Sequence, residues 1–240
     1  MKSVIFLLSI TFFAHAHFLT MIPATDNIIK TQESNLKIDT MFIHPFEQTG
    51  MTMKKPIGIY VNNKKNALPL RQIKKLNHTA WSLNYKVKTP GVYKFFTIPR
   101  PYFEKNEQKF ISHVPKVIIS AYGLEKGWDE PLGLKYEIIP LSKPFALYSG
   151  NLFQGKVLHN GKAKANIEVE VELYNEFGLI APTPSHITHT IKTNKEGIFS
   201  FVMNHKGWWG FAALIEEGQK KYKNKMYPVE NGALLWIKAY

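Results

Sequence analysis

The sequence predicts an all-β protein built as two tandem β-sandwich domains. Apolar residues recur at period two along most of the chain, the alternating runs end at Gly, Pro and Asn turn signals, and helical periodicity is nearly absent. Residues 37–42 (KIDTMF) and 57–61 (IGIYV) are the first candidate strands. Residues 79–87 (TAWSLNYKV) set Trp81, Leu83, Tyr85 and Val87 against Ala80, Ser82, Asn84 and Lys86. Pro90 and Gly91 make a turn, and strands follow at 92–98, 114–121 and 134–139. Two prolines in 140–144 (PLSKP) stiffen the chain and interrupt pairing, which places the boundary between a domain at 17–143 and one at 144–240.

The second block opens with a strand at 151–158, and Asn160-Gly161 supplies a type I′ hairpin turn. Residues 165–174 (ANIEVEVELY) then alternate, with Ile167, Val169, Val171 and Leu173 on one face and Glu168, Glu170 and Glu172 on the other. The three glutamates read as solubilising charge on the solvent face. Strands at 188–193, 198–203, 207–214 and 233–238 complete the block. Its plan resembles the prealbumin-like or carboxypeptidase-regulatory-like sandwich. Trp208 and Trp209 are neighbours on one strand, so one is expected in the core and the other at a surface or the domain interface.

Residues 1–16 read as a secretory signal peptide: Lys2, an apolar run from Val4 to Phe13, and the small-residue box Ala14-His15-Ala16. The run is shorter than the roughly 20 residues a membrane span requires, and no second run of that length follows. The expectation is an exported, periplasmic, soluble chain with no transmembrane segment after cleavage. The chain has no cysteine, so disulfides, thiolate ligands and cysteine nucleophiles are excluded. Net charge is +13, carried mostly by scattered Lys rather than clustered Arg with interleaved aromatics. That pattern argues against a nucleic-acid partner. It suits a solvated surface with protected strand edges or attraction to an acidic membrane or envelope polymer.

Residues 127–134 (GWDEPLGL), 138–141 (IIPL), 148–155 (YSGNLFQG) and 207–214 (GWWGFAAL) resemble a family of bacterial periplasmic proteins. Its members are labelled a domain of unknown function, or a nickel-uptake substrate-specific component associated with nickel transport complexes. His17-Phe18 with 23–26 (PATD), and 41–47 (MFIHPFE), carry the same likeness, which therefore spans nearly the whole mature chain. The resemblance implies nickel as the bound ion and a membrane metal transporter as a partner.

The residues themselves point to metal as well. Cleavage after Ala16 would leave His17 with a free α-amine beside its ring Nδ1, two nitrogens able to close a chelate ring. His44 stands at a strand end before Pro45, with Glu47 three residues on as an oxygen ligand or as an acceptor that orients an imidazole. His113 opens an apolar strand, and the family resemblance adds it as a third imidazole. A site of His17, His44 and His113, with Glu47 beside them, would suit Cu(II) or Ni(II), with zinc also open, and nickel among these is what the resemblance implies. His186 and His189, three apart, would chelate together only where the segment turns, and His205 reads as a surface residue. His78 and His159 read as exposed turn residues, and Met51 and Met53 as packing residues.

No Gly-x-Ser-x-Gly elbow, phosphate loop or His-Glu-x-x-His motif occurs, so an enzyme is not expected. Three functional readings follow. The first is a soluble metal-binding accessory to nickel uptake. The second is a metal-free structural module that binds an envelope protein or polysaccharide. The third, a copper redox enzyme, would need an open coordination position.

Overall fold

The computed structural model describes residues 17–62 and 66–240, so the expected leader at 1–16 lies outside the described residues. Among the described residues there is no α-helix, and no helix is long and apolar enough to cross a membrane. The first strands are β1 (Phe18–Leu19), β2 (Ile22–Pro23), β3 (Asn27–Ile28), β4 (Asn35–Thr40), β5 (Phe42–His44), β6 (Thr49–Met51) and β7 (Gly58–Val61). Then come β8 (Arg71–Lys75), β9 (His78–Lys86), β10 (Gly91–Ile98), β11 (Tyr102–Glu104), β12 (Lys109–Ala121) and β13 (Tyr136–Pro140). The last are β14 (Leu152–His159), β15 (Lys162–Ala163), β16 (Glu168–Tyr174), β17 (His189–Lys192), β18 (Ile198–Val202), β19 (Gly207–Tyr222) and β20 (Lys225–Ala239).

A central sheet runs β17-β16-β19-β20-β12-β10-β7, with β11 and β3 also pairing β12. It carries strands from both sides of residues 140–144. β12 and β20 are parallel neighbours, from Phe110 opposite Val229 to Val117 opposite Trp236. β13, before those prolines, pairs antiparallel with β14, after them. A sheet of β2-β4-β9-β8 and a sheet of β13-β14-β15, with β18 on β14, form the outer layers.

Strand alternation supplies the two cores. Trp208, Ala212, Leu234, Trp236, Val117 and Ile119 point to one face of the central sheet and pack with Leu36, Ile38 and Leu83 of β4 and β9. Trp209, Phe211, Ala213, Leu235, Ile237, Val169 and Val171 point to the other and pack with Ile138, Phe153, Val157 and Phe199. Each fully buried Phe, Val or Leu contributes roughly 1.5–3 kcal/mol. The two sandwiches thus share their middle layer. Both tryptophans of the Trp208-Trp209 pair are buried, one in each core, because the sheet they occupy is covered on both sides.

The same two-sided covering changes the reading of β16. Its glutamate face does not lie wholly in solvent: Glu168 is exposed, Glu170 half-buried and Glu172 buried. A third small sheet, β1-β5-β6, and the turn after β5 lie near that face.

The segment 127–134 is held from below by a buried ion pair. Lys116 Nζ lies 2.6 Å from Glu137 Oε1, and both side chains are almost fully enclosed. Glu137 also accepts the backbone N–H groups of Leu132 at 3.0 Å and Gly133 at 3.1 Å. Burial pushes the Lys116 ammonium below its usual range, while the Glu137 charge pulls it back up. Removing one member of such a pair leaves a buried charge uncompensated. Lys116→Met is therefore expected to destabilise the protein by about 3–5 kcal/mol, measured by urea denaturation. Loss of less than about 1 kcal/mol would show that the backbone N–H groups alone satisfy Glu137.

Candidate metal centre

The site forms where the small sheet meets the β11–β12 hairpin and the central sheet. β1 pairs antiparallel with β5, Phe18 opposite Ile43 and Leu19 opposite Phe42. Continuing that register by one residue sets His17 opposite His44, and directly opposed side chains on a strand pair touch. Their ring centroids are 4.6 Å apart. The His17 ring also stacks on Phe42 at 5.6 Å, which is two residues from His44 and so on the same face.

The turn that carries His44 is fixed to the central sheet. Phe46 N–H donates to Glu172 Oε2 at 3.3 Å, and Thr188 Oγ1 donates to the other oxygen of the same carboxylate. Asn175 N–H donates to Pro45 O at 3.2 Å, and Asn175 Nδ2 to Phe46 O at 3.1 Å. Gln48 closes the four-residue turn with φ 54° and donates from Nε2 to Pro45 O at 2.5 Å.

Two carboxylates from the β11–β12 hairpin flank His17. Glu104 Oε2 is 3.5 Å from His17 Nε2, and Glu107 Oε1 is 3.9 Å from Nδ1. Lys109 Nζ bridges Glu107 and Glu230, 2.5 Å from each. Glu230 Oε1 lies 3.1 Å from His113 Nε2. His113 is thereby held through one ring nitrogen, while the other, Nδ1, is buried with no hydrogen-bond partner. A small cavity of about 30 Å³ abuts this imidazole, walled by Leu19, Phe42, Met53, Tyr102 and Ile111. Such a space is large enough to admit a water molecule.

His113 fits here because Gly232 is its neighbour across the parallel β12–β20 pair. A Cβ on Gly232 would stand 2.4 Å from His113 Cδ2. Gly210 does the same for Trp236 and Phe18, whose atoms would lie 2.8 and 3.0 Å from an added Cβ. Ser112–Pro115 falls between the stretches of β12 paired with β10 and with β11, which is where a strand can hold a proline.

The electrostatics separate two kinds of group. Burial lowers the His17 pKa to about 4, helped by His44 and His113 and opposed by Glu104 and Glu230. Its imidazole is neutral at physiological pH, with its lone pair available. Burial pushes Glu230 up, but hydrogen bonds from His113 and Lys109, with the Lys109 charge, win and hold it at about 2. Burial, together with the charges of Glu230 and Glu168, raises Glu170 to about 7. Burial raises Glu172 to about 8 against the hydrogen bonds it accepts.

His17, His44 and His113, named from the sequence, share one neighbourhood. Glu47 is exposed on the turn after His44, where its charge bears on Glu172; the carboxylates paired with His17 are Glu104 and Glu107. Among the described residues no group of three or more His, Asp or Glu side chains is already arranged to hold a metal ion. The centre is a close imidazole pair with a third imidazole and carboxylates around it. Glu104, Glu107, Glu170 and Glu230 carried no sequence signal, because each enters through pairing between distant strands.

The remaining histidines sit elsewhere. His186 lies in a 3₁₀ turn and His189 begins β17, and with His205 they line a largely apolar cavity of about 350 Å³ beside Trp209. His159 is half-buried rather than exposed, stacked on Tyr136 and 2.9 Å from Glu217. His78 is also half-buried, with its Nδ1 3.4 Å from Thr52 Oγ1. Met53 is buried in a small apolar cluster against which Met51 packs.

The chain belongs to the family described as Domain of unknown function (DUF4198), whose model matches residues 14–217. No curated protein matches it. Among solved structures it is similar to a putative membrane anchored protein from Corynebacterium diphtheriae, at 13% identity and TM-score 0.27 over 92% of this chain. It is also similar to the adhesin InvE of Yersinia pseudotuberculosis, at 9% identity and TM-score 0.24 over 89% of the chain. A third is the D00-D0 domain of intimin, at 12% identity and TM-score 0.21, covering 92% of this chain and 99% of that domain. The chain spans 59% and 58% of the length of the first two.

Two outcomes test the site's construction. Glu172 holds its proton to about pH 8 when folded and loses it near 4.5 in the unfolded chain, so the folded state binds the extra proton between those values. Stability contributed by this group falls as pH rises through that window. Glu172→Gln should therefore gain stability relative to the parent between pH 4.5 and 8, seen in urea melts across pH; a flat difference would mean the carboxylate is already ionised. Gly232→Ala should cost about 1–3 kcal/mol by overpacking and shift the His113 ring resonances, whereas an unchanged ring would contradict the close approach.

Proposed function

We propose that this protein binds a transition-metal ion at His17 and His44, as a soluble periplasmic accessory to metal uptake. The single observation that carries the reading is the pair of opposed imidazoles 4.6 Å apart, with His17 held neutral by burial. A neutral imidazole need lose no proton to coordinate, so the pair can capture an ion at neutral pH. Glu104 is placed to offer oxygen beside the imidazoles.

His113 supports the same reading. A carboxylate holding one nitrogen of an imidazole while the other stays open is how ligand histidines are oriented, and Glu230 stands so to His113. An all-nitrogen and oxygen donor set suits nickel, copper and zinc. The family resemblance favours nickel, and it favours a membrane transporter as the recipient. Cleavage after Ala16 would add the His17 α-amine as a further nitrogen.

The test is calorimetric titration of the mature protein with Ni(II) and Cu(II), beside His17→Ala, His44→Ala and a version carrying one extra residue ahead of His17. One equivalent should bind. Either alanine variant should weaken binding by at least tenfold, and the extra residue should weaken it by removing the amine. Equal affinity across the parent and both alanine variants would overturn the site. If only the extra residue is without effect, the imidazole pair stands and the amine is excluded as a ligand.

A further inference from the structure

The β19–β20 hairpin extends past the sheet as an arm. Its register shifts between Glu216 and Gln219, and pairing then resumes as Lys220 opposite Tyr227, Lys221 opposite Met226 and Tyr222 opposite Lys225. Residues 219–227 (QKKYKNKMY) hold four lysines and no acid. Lys220, Lys221, Lys223 and Lys225 are all exposed, and among the described residues none of them pairs with a carboxylate.

The arm is braced near its tip by an aromatic ring of β11. Phe103 of β11 stacks on Tyr222 at 4.2 Å and meets Tyr227 edge-on at 4.8 Å. The lysines lie against rings: Lys223 Nζ is 5.7 Å from the Tyr222 ring and Lys225 Nζ is 5.3 Å from that of Tyr227. Met226, at the tip, is half exposed. Lys105, exposed in the neighbouring β11–β12 turn, adds a further positive charge at this end of the sheet.

We propose that this basic, aromatic arm docks the protein on an anionic phospholipid surface. Lysines near such a surface gain from its potential, and their stems and the tyrosine rings tolerate the polar–apolar boundary. The tip carries no arginine. It offers ammonium groups, two phenols and a thioether rather than a shaped pocket, which suits a fluid sheet of phosphate headgroups better than a folded partner. The arm adjoins the β11–β12 hairpin that bears Glu104 and Glu107, but the proposal is independent of metal binding.

The experiment is flotation of the whole mature protein with vesicles of phosphatidylcholine alone or with 30% phosphatidylglycerol, from low to physiological salt. Binding is expected to the anionic vesicles only and to weaken with salt. Changing Lys220, Lys221, Lys223 and Lys225 together to Gln should lower partitioning about 10²–10³-fold, on the order of fivefold per lysine. A matched variant, with Lys86, Lys88, Lys126 and Lys206 changed to Gln at the opposite end, removes the same net charge and should bind like the parent. All eight positions are exposed, and circular dichroism checks that both variants fold. The proposal is overturned by absence of binding to anionic vesicles at low salt. It is overturned equally by the same loss in both variants, which would reduce the effect to net charge, or by capture of an acidic polysaccharide with no vesicle binding.

Discussion

The parallel pairing of β12 with β20 is the constraint on which the rest of the molecule depends. Parallel neighbours cannot be joined by a tight turn and need a crossover. Here that crossover is long enough to contain most of the second sandwich, from β13 through β19. The pairing makes one continuous middle layer that both cores share. It also sets His113 against Gly232 and brings Glu230 within 3.1 Å of the same imidazole. Without it the third histidine would have neither its space nor its carboxylate.

A middle layer covered on both faces has a second consequence. Polar residues on strands that would be half-solvated in an ordinary sandwich are enclosed, and their ionisation shifts. Glu170 and Glu172 are pushed up and Glu230 is held ionised by Lys109 and His113, while His17, on the small sheet nearby, is pushed down by its own burial. Buried charge is retained at a cost to stability unless it is partnered, and strongly perturbed groups gathered at one place are a mark of functional sites. The Lys116–Glu137 pair, by contrast, has its partners in hand: an ammonium and backbone N–H groups. It fixes the 127–134 segment and lies apart from the imidazoles, so a sequence signature there reports architecture.

Much of the fold was legible in the sequence. Period-two patterns placed β9, β10, β14, β16, β17 and β18 to within a few residues, because their successive side chains alternate between a more and a less enclosed face. The short strands β1, β2, β3, β6 and β11 left no pattern, since two or three residues cannot show a period. β8 (RQIKK) hid for a different reason: only Ile73 is apolar in it, as befits an edge. The arm at 215–232 was missed because its pairing is solvated and sustained by rings from β11. His17, His44 and His113 could be named from their sequence contexts and the family likeness. The carboxylates around them could not, because β11 and β20 reach the site only through long-range pairing, and the glutamate face of β16 was misread because nothing local announces a third layer.

The proposed function stands on a metal ion held between His17 and His44. Anomalous diffraction at the nickel or copper edge, from crystals of the mature protein grown with one equivalent of metal, tests it most directly. A single strong peak within coordination distance of both imidazoles is expected. A peak instead in the cavity lined by His186, His189 and His205, or none in the protein, would contradict it.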